Sequence, residues 1–94
     1  MKILRGEKKL KKGLVKVKME IDDNGRIESI TITGDFFMIP EDSLWKLEEE
    51  LIGAKLEREE ILKIIKKVFE ETRATLVGSS PEELTEAILE VEEI

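Results

Sequence analysis

The chain contains no cysteine, no histidine and no tyrosine. Without cysteine there is no disulfide, no thiolate nucleophile and no persulfide, and the composition suits a reducing compartment. Without histidine the chain lacks both the side chain that titrates near neutrality and the commonest metal ligand. Zinc, haem and iron–sulfur sites lose their normal donors, so no metal site and no catalytic residue are assigned. Asp, Glu, Lys, Ser and Thr remain, but no local pattern arranges them for acid–base or nucleophilic work. No activity is expected of the chain alone.

Long apolar runs are missing as well. None approaches the roughly 20 residues a membrane span needs, and the start, Met1-Lys2-Ile3-Leu4-Arg5, has no apolar leader segment. A cytoplasmic location without membrane contact is the expectation. No glycine-rich phosphate cradle is present; Gly25, Gly34, Gly53 and Gly78 stand singly at predicted element ends. Aromatics number four, Phe36, Phe37, Trp45 and Phe69, so where they are placed is informative. The 94 residues suffice for one modest core and are read as one domain over 1–94.

Charge is abundant, at 40% of residues, and it is unevenly spread. Residues 1–18 carry eight bases against Glu7, a local charge of +7, which leaves −13 for the rest of a chain whose net charge is −6. The final 13 residues hold six glutamates and no base. Such polarity can steer an acidic partner toward Lys8, Lys9, Lys11 and Lys12, the candidate electrostatic contact. It also suits an ion-pair-rich surface in which the basic start meets the chain's own acidic end. Nucleic acid is not an expected partner: the basic segment has no aromatic to stack on a base, and the acidic body repels phosphate. Asp22-Asp23-Asn24 lacks the further oxygen ligands of a calcium loop and reads as a turn.

Periodicity supplies the elements. From Leu14 to Ile21 the residues Val15, Val17, Met19 and Ile21 alternate with Lys16, Lys18 and Glu20, the period of a half-buried strand. Asn24-Gly25 is a strong hairpin signal. The return strand, Arg26 to Thr33, turns Ile30 and Ile32 inward, Thr31 and Thr33 outward, and places Ile27 on the polar face as a rim residue. A two-residue loop would pair Met19 with Ile30 and Val17 with Ile32; a four-residue loop would shift the register by two and still pair apolar with apolar, so the facing holds for either length. Lys2 to Lys9 is a candidate first strand broken at Gly6, with a turn at Lys11-Lys12-Gly13. Three helical patterns follow: Glu41–Ile52, with Leu44, Leu47 and Leu51 on one stripe flanked by Trp45; Glu57 to about Leu76, with Ile61, Ile65 and Val68; and a last helix opened by Ser80-Pro81-Glu82-Glu83. The expected fold is α+β, a small antiparallel sheet of two to three strands followed by three helices packed on one face.

The strand-to-helix junction Gly34-Asp35-Phe36-Phe37-Met38-Ile39-Pro40 uses two of the four aromatics. Adjacent residues in an extended segment point opposite ways, so Phe36 and Phe37 cannot both enter one core. One of them is a candidate anchor at a protein interface. Gly34, Asp35, Phe36, Phe37 and Pro40 are the candidate partner-contact residues, with Pro40 read as starting the helix.

The hairpin Lys16–Ile27, the stretch Ile30-Thr31-Ile32-Thr33-Gly34-Asp35-Phe36-Phe37, then Pro40-Glu41-Asp42 and Leu47-Glu48-Glu49-Glu50-Leu51-Ile52-Gly53 resemble the accessory, C-terminal domain of lipoate–protein ligases over roughly residues 5 to 75. In some archaea that domain is a separate polypeptide. The resemblance implies a non-catalytic subunit that binds a large catalytic subunit and enables ATP-dependent activation of lipoate to lipoyl-AMP, before transfer to a lysine of lipoyl-domain proteins. ATP with Mg and lipoate would then belong to the complex, with none bound by this chain alone. The family's Arg- and Gly-rich catalytic motif has no counterpart here, so no catalytic residue carries over. The same fold also resembles iron–sulfur assembly scaffolds, a function that the lack of cysteine excludes. The competing reading is a freestanding interaction module with an unrelated partner. If that module used Lys8–Lys18, its contact would weaken steeply with salt.

Overall fold

In the computed structural model, which describes residues 1–94, the alternating segment forms β2 (Gly13–Ile21), paired antiparallel with β1 (Lys2–Leu10) and β3 (Ile27–Asp35). Val15, Val17, Met19, Ile30 and Ile32 are buried, and Met19 faces Ile30 and Val17 faces Ile32. The turn is longer than two residues. Asp22 accepts hydrogen bonds from the backbone N–H groups of Asn24 and Arg26 at 2.9 and 3.0 Å, and Gly25 takes a φ of +78°.

The register then shifts by one: Glu20 opposes Ser29 but Ile21 opposes Ile27, so Glu28 is an extra, bulged residue. That shift turns Ile27 to the core, where it is 1% exposed, and not to the rim as simple alternation requires. The chain around Gly53 and Ala54 then pairs with this end of β3, through Ile27 N–H to the Ala54 carbonyl at 2.8 Å and Gly53 N–H to the Ile27 carbonyl at 2.7 Å.

Gly6 does not break β1. A Cβ there would lie 2.9 Å from the Glu90 carbonyl oxygen, so the glycine admits the chain leaving the last helix across the strand. That chain adds β6 (Glu92–Glu93) to the edge, opposite Leu4 and Arg5, and the sheet has four strands in the order β3-β2-β1-β6.

The helices α1 (Ser43–Leu51), α2 (Arg58–Thr72) and α3 (Pro81–Leu89) cover the inner side of this sheet through Leu47, Leu51, Ile61, Ile65, Val68, Leu84, Ala87 and Ile88, all within the buried core. Helix α3 starts as its sequence requires: Ser80 Oγ accepts from Glu83 N–H at 3.2 Å, with Pro81 at the first position. At this start the carboxyl of Glu82 is held below the usual carboxylate range, first by a backbone hydrogen bond and then by the nearby Lys66.

Two helix limits differ from the periodic pattern. Helix α2 stops at Thr72, four residues short of Leu76, because Arg73 takes the left-handed conformation (φ 56°). Thr75–Leu76 becomes β5, paired with β4 (Met38–Ile39). Helix α1 begins at Ser43 and not at Pro40, which precedes it in a cis peptide; Ser43 N–H reaches the Pro40 carbonyl at 3.1 Å.

Candidate functional site

The end of the β2–β3 hairpin is built on two glycines. At Gly34, with φ +132°, a Cβ would land on the Leu14 carbonyl oxygen, and at Gly13 it would land on that of Asp35. The close approach brings β3 to its end beside the β1–β2 turn and sends the next residues across the core. Phe36 is half-buried against the core, Phe37 is 67% exposed, and Met38 is buried opposite Leu76. Alternation along β4 then puts Phe37 and Ile39 on its outer side. Val77 N–H donates to the Phe37 carbonyl at 2.9 Å, which extends the β4–β5 ribbon and sets Val77 beside Phe37. Of the two adjacent phenylalanines, Phe37 is therefore the exposed one.

Trp45 belongs to the same surface. It is 72% exposed, whereas Leu44 beside it is half-buried and Leu47 and Leu51 are fully enclosed. Periodicity places it next to the apolar stripe of α1, but the stripe is satisfied without it. Phe37 and Trp45 share the lining of an open hollow of about 480 Å³ with Phe36, Met38, Leu44 and Glu41. Together with Ile39 and Val77 they form an apolar, aromatic patch at the junction. Sequence reasoning missed Ile39, Trp45 and Val77. Trp45 had one legible signal: positions 41, 42, 48 and 49, three and four residues to either side, are all acidic, an odd setting for a core residue.

Of the five candidate contact residues, Gly34, Phe36 and Phe37 line the hollow, whereas Asp35 and Pro40 do not and stand exposed, Asp35 at the end of β3 and Pro40 between β4 and α1. The structure distributes the four lysines. Lys8 points to the helix side and pairs with Glu90 at 3.1 Å, joining the basic start to the chain's own acidic end. Lys9 is exposed on the opposite side of β1. Lys11 and Lys12 form the β1–β2 turn, and the methylenes of Lys12 lie against Gly78, next to Val77. Only this turn lies near the junction.

The outer side of the sheet carries no helix. Arg5, Glu7, Lys16, Lys18, Thr31 and Thr33 line a shallow hollow there of about 560 Å³. Arg5 stands directly opposite Lys18, and Glu7 opposite Lys16. No three carboxylates converge in a way that could hold a metal ion, and no helix is long and apolar enough to cross a membrane.

Comparison with known proteins gives concordant results. Residues 4–88 match the model of the family described as "Bacterial lipoate protein ligase C-terminus". The chain is 42% identical over 80 residues to the "Lipoate-protein ligase A subunit 2" of Thermoplasma acidophilum, an overlap of 85% of this chain and 81% of that relative. Its fold superposes with a TM-score of 0.82 and 37% identity on a solved chain from a Thermoplasma acidophilum archaeal lipoylation system, described as a bi-partite lipoate protein ligase and its E2 lipoyl domain. That match covers 94% of this chain and 97% of the other.

Proposed function

The chain belongs to the lipoate protein ligase C-terminal family, and from that premise we propose that it is the accessory subunit of a two-part lipoate–protein ligase. In this reading it seats on a separate catalytic subunit through the patch around Phe37 and Trp45. It thereby enables ATP-dependent conversion of lipoate to lipoyl-AMP, ahead of transfer to a lysine of a lipoyl-domain protein. The observation that carries the reading is the placement of aromatics: two of only four stand more than 60% exposed on one patch, where burial against a partner gives aromatic side chains their largest return.

The division of labour follows from side-chain chemistry. With no histidine, cysteine or tyrosine, this chain contributes shape and exclusion of water. The catalytic subunit holds lipoate, ATP and Mg. An acyl-adenylate is a mixed anhydride open to hydrolysis, and a closing subunit that sheds water from it both protects the intermediate and strengthens the electrostatics around it.

The test is AMP and pyrophosphate production from lipoate and ATP by a catalytic subunit of the same cell, with and without this chain. Turnover that appears only in the mixture is the expected result. Equal turnover by the catalytic subunit alone overturns the accessory role.

A further inference from the structure

We propose that the hollow at the start of α1 receives a basic side chain, arginine or lysine, of the catalytic subunit, held by the ring faces of Trp45 and Phe37 and the carboxylate of Glu41; this rests on the docking reading above. Three observations lead to it. First, the exposed rings of Trp45 and Phe37 line one hollow together with Glu41. An aromatic face beside a carboxylate attracts a cation through both the ring quadrupole and the charge, and tryptophan is the strongest ring for this.

Second, Trp45 is surrounded along its own helix and the turn that feeds it by Glu41, Asp42, Glu48 and Glu49. Glu41, Asp42 and Glu49 take part in none of the four ion pairs of the chain, which join Met1 to Asp23, Lys8 to Glu90, Arg58 to Glu86 and Lys66 to Glu82. Glu48 accepts only the backbone N–H of Ile32, at 2.7 Å. Neither Lys12, in the nearby β1–β2 turn, nor Lys46, next to Trp45 in α1, lines the hollow.

Third, folding accounts for only some of these acids. Glu41 and Asp42 precede α1, where negative charge suits the helix dipole, and Glu48 holds the Ile32 N–H, but Glu49 stands in a last turn that carries no base, where negative charge is unfavourable. A cation delivered by the partner relieves that excess. It also fixes the orientation of docking, because an apolar contact by itself has little directional preference.

The experiment is calorimetric titration of the catalytic subunit with this chain at low and high salt, using the wild type and Trp45→Leu, Trp45→Phe, Glu41→Gln and Phe37→Ala. The substituted side chains are exposed, and a thermal melt of each variant checks that it folds. Trp45→Leu keeps apolar bulk and removes the indole face; it and Glu41→Gln are each expected to raise Kd by about 3- to 30-fold, with Trp45→Phe between them and wild type. Glu41→Gln is also expected to flatten the salt dependence. If Trp45→Leu and Glu41→Gln bind like wild type with an unchanged salt dependence while Phe37→Ala weakens binding, the cation site is overturned and the apolar docking surface stands. If a complex forms and Phe37→Ala leaves it unchanged as well, the docking surface falls together with the cation site.

Discussion

Two exposed surfaces of the protein are made of opposite materials. On the outer side of the sheet, Arg5, Glu7, Lys16, Lys18, Thr31 and Thr33 meet solvent with groups that water already satisfies. At the junction, Phe37, Ile39, Trp45 and Val77 meet solvent with groups that water does not. The two hollows, of about 560 and 480 Å³, differ less in size than in what lines them. An open sheet face with alternating inward apolar and outward polar residues is how an antiparallel sheet normally ends at solvent. An exposed tryptophan beside an exposed phenylalanine has no such ordinary explanation.

Mutation tells the two surfaces apart, and the largest effect is expected at Gly34. An alanine there meets both a φ of +132° and the Leu14 carbonyl, so Gly34→Ala should cost about 3 kcal/mol or more in a denaturant melt. It should also dislodge Phe36–Ile39 and with them the proposed docking surface. A melt indistinguishable from wild type would show that the junction does not depend on this close approach. Glu48→Ala comes next. It leaves the edge N–H of Ile32 without its carboxylate partner, for an expected loss of about 1–3 kcal/mol in the same measurement. The smallest effect belongs to the polar face. Lys18→Thr removes one member of the Arg5–Lys18 like-charge pair and supplies a good strand former, so stability should stay within about 0.5 kcal/mol. Titration of the catalytic subunit should be unchanged; a tenfold weaker complex would make the sheet face a contact surface as well.

How far these surfaces were legible in the sequence differs between them for a physical reason. The sheet face follows from period-two alternation in β2, which one strand's residues settle locally, and Thr31 and Thr33 fall outward as read. The hairpin signal at Asn24-Gly25 placed the turn correctly and left its length open. Asp22's hydrogen bonds close a longer loop, and the resulting bulge at Glu28 turns Ile27 inward, a change of parity that no alternation pattern announces.

The junction is harder because it is assembled from distant segments. That one of Phe36 and Phe37 must be exposed is a local deduction, but which one depends on β4 finding β5, thirty-eight residues away at the Met38–Leu76 pair. A strand of two residues carries no periodicity, and the apolar run that hides β5 reads as the tail of α2. For the same reason β6, two glutamates beyond the last helix, is invisible until β1 offers an edge. Trp45 shows the opposite error: the helical period was right, yet it cannot say where the stripe's burial stops.

The β4–β5 ribbon also links recognition to folding. Phe37 and Val77 lie side by side only while residues 38 and 76 are paired, so the proposed docking surface does not exist in the unfolded chain. Whatever binds that surface therefore binds the native state alone. A partner present at a hundred times its Kd would raise the free energy of unfolding by about 2.7 kcal/mol. The accessory chain would then be most resistant to heat and proteolysis when its partner is abundant, and the stoichiometry of the pair would be enforced by the stability of its smaller member.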